Sequence, residues 1–322
     1  MNRIALIVCY IGSFPRYFRY STDSAARNSD VDFYIFSDQV SQPEISGNIK
    51  ILPLTLESFS SLASLKLGLN VSLSYGYKLC DFKPAYGVIF EDYLKPYDFW
   101  GYCDIDVIWG KINCFITEDI LENFDIITTL ETHLAGHFTL YRNNETTLNL
   151  FRYTDDYKKI FTDGTTNYHF DESCLRYGEF YEPDELKQFG KTVSMSDIAM
   201  TLKMKQKLRL YMKKVIRDHP DPICYEYRDG VLTDLNNGEE FMYHHLSHVK
   251  NDWNFFILPI SQLPSTFKIV PEGIIPGSPG ELLPKLKWQI GKTLFSLNYL
   301  FHRVKQFGIS TSFRKLTQKI TG

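Results

Sequence analysis

Two acids separated by one residue interrupt the stretch Asp98-Phe99-Trp100-Gly101-Tyr102-Cys103-Asp104-Ile105-Asp106-Val107-Ile108-Trp109-Gly110. If Phe99 to Ile108 is a strand, alternation puts Asp104 and Asp106 on one face, with Cys103, Ile105 and Val107 on the other. Neighbouring carboxylates repel unless a proton or cation lies between them. A hard divalent cation with oxygen ligands meets that need and keeps positions open for substrate phosphates. Acids at the C-terminal end of a sheet strand also lie where open α/β sheets bind ligands. The competing reading is a solvated strand end that starts a turn.

Three later clusters carry further chemistry. Leu134-Ala135-Gly136-His137-Phe138 is a small-residue turn whose His137 could line an acceptor pocket. Tyr168-His169-Phe170-Asp171-Glu172-Ser173 offers two acids able to bind hydroxyls or act as general base, although Asp171 also reads as a helix cap. Phe241-Met242-Tyr243-His244-His245-Leu246-Ser247-His248-Val249-Lys250 holds three histidines. On a strand His244 and His245 face opposite ways, so only one can join the acids. The absence of HExxH argues against a zinc hydrolase.

The elements that must position these groups alternate. Ile4 to Tyr10 is a continuous apolar run, the signature of a strand buried on both faces. Gly12-Ser13-Phe14-Pro15 breaks it, and a helix follows over Tyr17 to Arg27. Strands are expected at Val31 to Phe36, Ile49 to Leu54, Asp125 to Thr129 and Phe138 to Tyr141. Helices are expected over Leu62 to Leu79 and Pro84 to Leu94. The pattern predicts an α/β domain with a mostly parallel mixed sheet flanked by helices.

The 322-residue length allows one large domain or two modest ones. A formal net charge of −3 gives no pull toward nucleic acid. Six cysteines lack CxxC or zinc spacing and read as buried free thiols of a reducing compartment. No apolar run reaches the roughly 20 residues needed to span a bilayer, and Phe14-Pro15-Arg16 directly follows the first apolar run without a small-residue cleavage site, which predicts a cytoplasmic protein.

The charge is uneven. Residues 285–322 carry eight Lys or Arg and no acid, or +8, against −11 for the rest. A Pro- and Gly-rich stretch from 257 reads as an irregular connector leading to this tail. Trp288, Ile290, Leu294, Leu297, Phe301 and Val304 recur there at near-helical spacing. A basic amphipathic helix of this kind suits an anionic membrane surface, with packing on the domain or on a second subunit as the alternative. The expected division is a catalytic domain over 1–256 and a connector with a helical extension over 257–322.

The acid strand resembles the DxD-containing glycosyltransferases of the GT-A type, above all bacterial families associated with surface-polysaccharide synthesis. The resemblance spans roughly residues 1–255. It includes Lys78-Leu79-Cys80-Asp81-Phe82-Lys83-Pro84-Ala85-Tyr86, although the family's usual Asp-to-basic spacing is one residue longer. It implies a GT-A-like fold and transfer of a hexose from a nucleotide-sugar, of UDP type, to a growing glycan or lipid-linked glycan. Asp104 and Asp106 would hold Mn²⁺ or Mg²⁺, with His245 as third ligand and His244 or His248 as fallback. Asp104 would also face the donor, Asp81 would touch the nucleoside, and Lys83, Lys250 and Trp253 would serve the diphosphate. Tyr10 and Phe14 are candidates for the base, and Asp171, before Glu172, for the acceptor. The implied location is the inner face of the cell membrane, and the resemblance leaves a homo-oligomer open. Two other classes fit an apolar strand ending in DxD: an aspartate-nucleophile phosphatase and a non-catalytic glycan-binding protein.

Overall fold

The computed structural model describes residues 2–172, 182–188, 190–217, 223–252, 254–277 and 282–307. The strands are β1 (Ile4–Tyr10), β2 (Val31–Ser37), β3 (Glu44–Ser46), β4 (Ile49–Pro53), β5 (Phe99–Cys103) and β6 (Val107–Trp109). There follow β7 (Ile126–Thr128), β8 (Phe138–Arg142), β9 (Leu210–Met212), β10 (Ile216–Arg217), β11 (Tyr225–Arg228) and β12 (Val231–Asp234). The last are β13 (Glu240–Phe241), β14 (Tyr243–His245), β15 (Phe256–Ile257), β16 (Thr266–Val270) and β17 (Gly273–Pro276).

An eight-stranded sheet of order β3-β4-β2-β1-β5-β8-β7-β9 forms the centre. Its strands β4, β2, β1 and β5 run parallel, whereas β8 is antiparallel to both β5 and β7. The sheet is mixed and flanked by helices, as the alternation of elements predicts. Along β1, Ile4, Leu6 and Val8 join the core on one face, while Ala5 and Ile7 join the core on the other. That two-sided burial explains why the run carries no polar residue before Tyr10.

The expected helix over Leu62 to Leu79 is displaced. A helix spans Leu56–Leu67, opened by a reciprocal cap between Thr55 and Ser58 and closed by Gly68 at φ 67°. Gly adopts that left-handed geometry without a Cβ penalty, so the helix stops there. A 3₁₀ turn over Gly76–Ala85 then delivers Lys78, Asp81 and Lys83, and helical turns at Tyr86–Ile89 and Glu91–Leu94 replace the expected helix over Pro84 to Leu94.

The acid strand is also corrected. It ends at Cys103, Asp104-Ile105-Asp106 form a turn, and β6 leaves the main sheet. A strand continuing straight between its neighbours would carry two carboxylates into an apolar interior, so the chain bends at the acids. β6 pairs instead with β14, which lies between β10 and β6 in a three-stranded sheet.

The stretch expected as an irregular connector is largely regular. β15, β16 and β17 join β11, β12 and β13 in a six-stranded sheet of order β13-β12-β11-β16-β17-β15. That sheet runs across the expected boundary at 256/257, and its prolines and glycines occupy ends and turns or, like Pro276, pair at an end of β17. A helix over Leu282–Phe307 follows, in line with the expected helical extension. Among the described residues, no helix is long and apolar enough to cross a membrane.

Candidate metal centre and its two cavities

β1 and β5 run parallel, and both C-terminal ends open onto one cleft, β1 through Tyr10 and β5 through Asp104. The register of β14 against β6 sets His245 opposite Val107, one residue past Asp106. The Leu246 amide also donates to the Asp106 carbonyl at 2.9 Å, fixing the end of β14 over the acid turn. One ligand atom each from Asp104, Asp106 and His245 lies within 4.8 Å of the others. The His245 Nε2 is 3.7 Å from Asp104 and 3.5 Å from Asp106. Two carboxylates and one imidazole, converging at that spread, fit a six-coordinate Mn²⁺ or Mg²⁺ with positions left for a ligand. The expected convergence holds, although a turn rather than one strand face produces it.

Two lysines answer the acids from within the chain. Lys83 Nζ donates to Asp104 at 2.7 Å and to the Gly136 carbonyl at 2.7 Å, and lies 3.3 Å from Asp171. Lys250 Nζ donates to Asp106 at 2.6 Å. Burial alone would raise the Asp106 carboxyl, but His245 and Lys250 hold it below the ordinary carboxylate range. Burial alone would lower Lys83, but the Asp104 carboxylate, with Cys80 and Asp171, keeps it well above its usual value.

The expected choice of His245 over His244 agrees with the geometry. His244 turns the other way and hydrogen-bonds the Arg217 carbonyl at 2.9 Å. His137 stands behind His245, with ring centroids 4.3 Å apart, and its Nδ1 meets the Tyr243 hydroxyl at 2.7 Å. Tyr243 in turn meets the Thr129 hydroxyl at 2.6 Å. Burial, then the neighbouring His245 and Lys83, push His137 well below its ordinary value, so its ring is neutral. It lines the cleft and also packs the imidazole of His245.

Asp171 is buried, and Glu172 is partly open to the cleft. Both carboxylates crowd Gly136, where an added Cβ would sit 2.8 Å from a Glu172 oxygen and 2.9 Å from an Asp171 oxygen. Burial raises the Asp171 carboxyl to about 7; Lys83 opposes the rise, and the charges of Glu172 and Asp104 add to it. The Glu172 carbonyl accepts from the Ser196 hydroxyl, which also accepts from the Leu134 amide at 2.9 Å, tying the acid pair to the 134–137 turn.

Asp81 departs from the expected nucleoside role. Its side chain is fully enclosed, paired with Lys78 at 2.7 Å, and accepts the Tyr168 and Phe170 amides at 2.9 Å each. Lys78 also donates to the Thr166 carbonyl at 2.6 Å. With its oxygens engaged and no surface, Asp81 braces the segment leading to Asp171 and does not reach the cleft. Trp253 lies outside the described residues.

The acid turn separates two cavities. The smaller, of about 330 Å³, is lined by Val8, Tyr10, Ile11 and Tyr17 on one side and by Asp104, Asp106 and both lysines on the other. The larger, of about 580 Å³, is lined by His133, His137, Asp171, Glu172, His245 and His248, among others. Asp104, Lys83 and Lys250 border both. Tyr243 escaped the sequence reading, although it sits two residues before His245 on the same strand face. Gly136 was read as part of a turn; its contact with the two acids joins segments 35 residues apart, which sequence spacing does not encode.

Fold and site together define an α/β protein with a carboxylate–carboxylate–imidazole centre at the ends of its parallel strands. The chain belongs to a family described only as a family of unknown function (DUF6625), whose profile matches residues 6–278. No curated protein matches it. Solved structures similar to part of the chain include mouse xyloside xylosyltransferase 1 in its apo form, at 10% identity, over 68% of this chain and 88% of that one, with a TM-score of 0.38. The galactosyltransferase LgtC, in complex with donor and acceptor sugar analogues, is similar at 11% identity over 58% of this chain and 78% of that one, TM-score 0.32. The glycosyltransferase GlyE of Streptococcus pneumoniae TIGR4 is similar at 13% identity over 51% of this chain and 44% of that one, TM-score 0.29. At this distance the likeness assigns no residue and no substrate.

Proposed function

We propose that this chain is a metal-dependent glycosyltransferase of the GT-A type, moving a hexose from a UDP-sugar to a hydroxyl of a growing surface glycan. The observation that carries this reading is that two cavities share Asp104, with Asp106 lining the smaller and His245 the larger, while one ligand atom of each lies within 4.8 Å of the others. The smaller, apolar and aromatic on one wall, suits a nucleobase beside Tyr10. The larger, rich in carboxylates and imidazoles, suits sugar hydroxyls.

Asp104, Asp106 and His245 would hold Mn²⁺ or Mg²⁺, which stabilises negative charge on the departing diphosphate. Lys250, 31% exposed at its side chain, would turn from Asp106 to a phosphate. Lys83 is nearly buried and keeps Asp104 aimed. In the transfer, an acceptor oxygen bonds to the sugar's anomeric carbon, the bond from that carbon to the diphosphate breaks, and the acceptor proton passes to a carboxylate. Glu172 and Asp171 face the cavity where that acceptor would lie. The acceptor class we favour is a glycan carried on a lipid at the inner face of the cell membrane.

Calorimetric titration with UDP, with and without Mn²⁺, tests the reading. Binding is expected with Mn²⁺, and loss of both binding and sugar transfer in Asp106→Ala, with circular dichroism unchanged. A silent titration of the wild type, or full turnover in the variant, would remove the proposed mechanism.

A further inference from the structure

The helix Leu282–Phe307 divides its apolar residues between two sides. Trp288 is buried and meets Phe256 at 6.0 Å between centroids, and Phe295 meets the same ring at 5.7 Å. Arg16 lies over Phe295 at 5.2 Å, and Gly291 leaves room for Phe256 between them. These contacts dock one side of the helix on the body of the protein. Leu286, Ile290, Leu294 and Leu297 are 52%, 52%, 61% and 57% exposed. At the helical turn of about 100° per residue they fall within an arc of about 80°, centred roughly 130° from the docked side. The sequence had placed Trp288 in the same stripe as Ile290, Leu294 and Leu297; the structure moves Trp288 to the docked side and adds Leu286. The sequence continues the exposed spacing at Phe301 and Val304, whose side chains lie outside those described.

Two occupants would bury such a stripe: a second copy of the helix or a lipid surface. Charge separates them. Residues 285–322 hold eight Lys or Arg and no acid, so two such helices packed stripe to stripe would bring like charges together with no acid on either helix to pair them. An anionic bilayer presents the opposite sign, and a helix of 26 residues, about 39 Å long, is a suitable interfacial element. We infer that the Leu286–Ile290–Leu294–Leu297 stripe inserts into the headgroup boundary of an anionic membrane while Trp288 and Phe295 keep the catalytic body against the helix. The surface location follows the reading above, but the stripe and its lipid partner rest on the helix alone.

The test sediments the full chain with vesicles of phosphatidylcholine, with or without phosphatidylglycerol. The wild type is expected on the anionic vesicles only, and binding weakens as salt rises. The double variant Ile290→Gln/Leu294→Gln, at exposed positions, is expected to lower the partition constant by at least roughly tenfold while melting as the wild type does. Absence of wild-type binding to anionic vesicles, equal binding to neutral ones, or an unaffected variant overturns the inference. So does a dimer in sedimentation velocity that the double variant dissolves, because it assigns the stripe to a second copy. Transfer to a water-soluble acceptor, assayed beside it, keeps the two proposals apart. Lost vesicle binding with retained transfer defeats this inference alone, and retained binding without transfer defeats the transferase alone.

Discussion

Replacing Lys78 with Met tests whether Asp81 is a brace or a nucleotide contact. Both side chains of the pair are fully enclosed, 2.7 Å apart. Methionine keeps most of the volume and removes the ammonium, leaving a buried carboxylate with only the Tyr168 and Phe170 amides as donors. Breaking a buried pair from one side costs about 3–5 kcal/mol. The two remaining amides still stabilise the charge, so the expected loss is at the low end, about 3 kcal/mol. Lys78→Met/Asp81→Asn removes both charges and should recover part of that loss, giving a coupling energy of about 2 kcal/mol. Urea unfolding followed by circular dichroism reads all three variants. A Lys78→Met protein within about 0.5 kcal/mol of wild type would refute the brace. So would Asp81→Asn protein that keeps its stability but loses UDP binding, which would return Asp81 to the donor.

The other predictions concern the larger cavity, where we place the acceptor. Gly136→Ala forces Asp171 and Glu172 away from a new methyl group, and turnover should fall by about 100-fold while Mn²⁺ affinity, measured by paramagnetic resonance, stays at the wild-type value. Asp171 gives the folded protein a pH slope. Its folded carboxyl titrates near 7 against 3.8 as the ordinary value, so the folded state binds the extra proton between those limits. The stability it contributes is complete below the lower limit and is lost as pH rises toward 7. Urea midpoints across that window should therefore flatten in Asp171→Asn; an unchanged slope would assign it to other groups.

The positions of the buried strands along the chain were legible because two-sided burial leaves an apolar run, as in β1. Alternation made it legible that only one of His244 and His245 could join the acids, and the choice of His245 came from the family resemblance. The acid turn was read as a strand because period-two spacing looks the same whether the chain continues or bends; only the burial penalty on two carboxylates separates the cases. Asp81 misled for a related reason. An acid followed by a nearby base reads alike whether the pair meets a ligand or, like Asp81 and Lys78, an ion partner one helical turn back. The strands after 256 were hidden by their prolines and glycines, which here mark strand ends and turns between antiparallel partners.

The contacts of Lys83 and Lys250 with the acid pair set a local charge balance at the acid turn. There the carboxylates of Asp104 and Asp106 and the ammoniums of Lys83 and Lys250 sum to zero. A dication alone would leave a surplus of two positive charges in a partly buried space, and a sugar diphosphate carries the two negative charges that cancel it. The pair of ligands should therefore enter as partners, each strengthening the other's hold by the same factor, so that loading with either one alone is the unfavourable route.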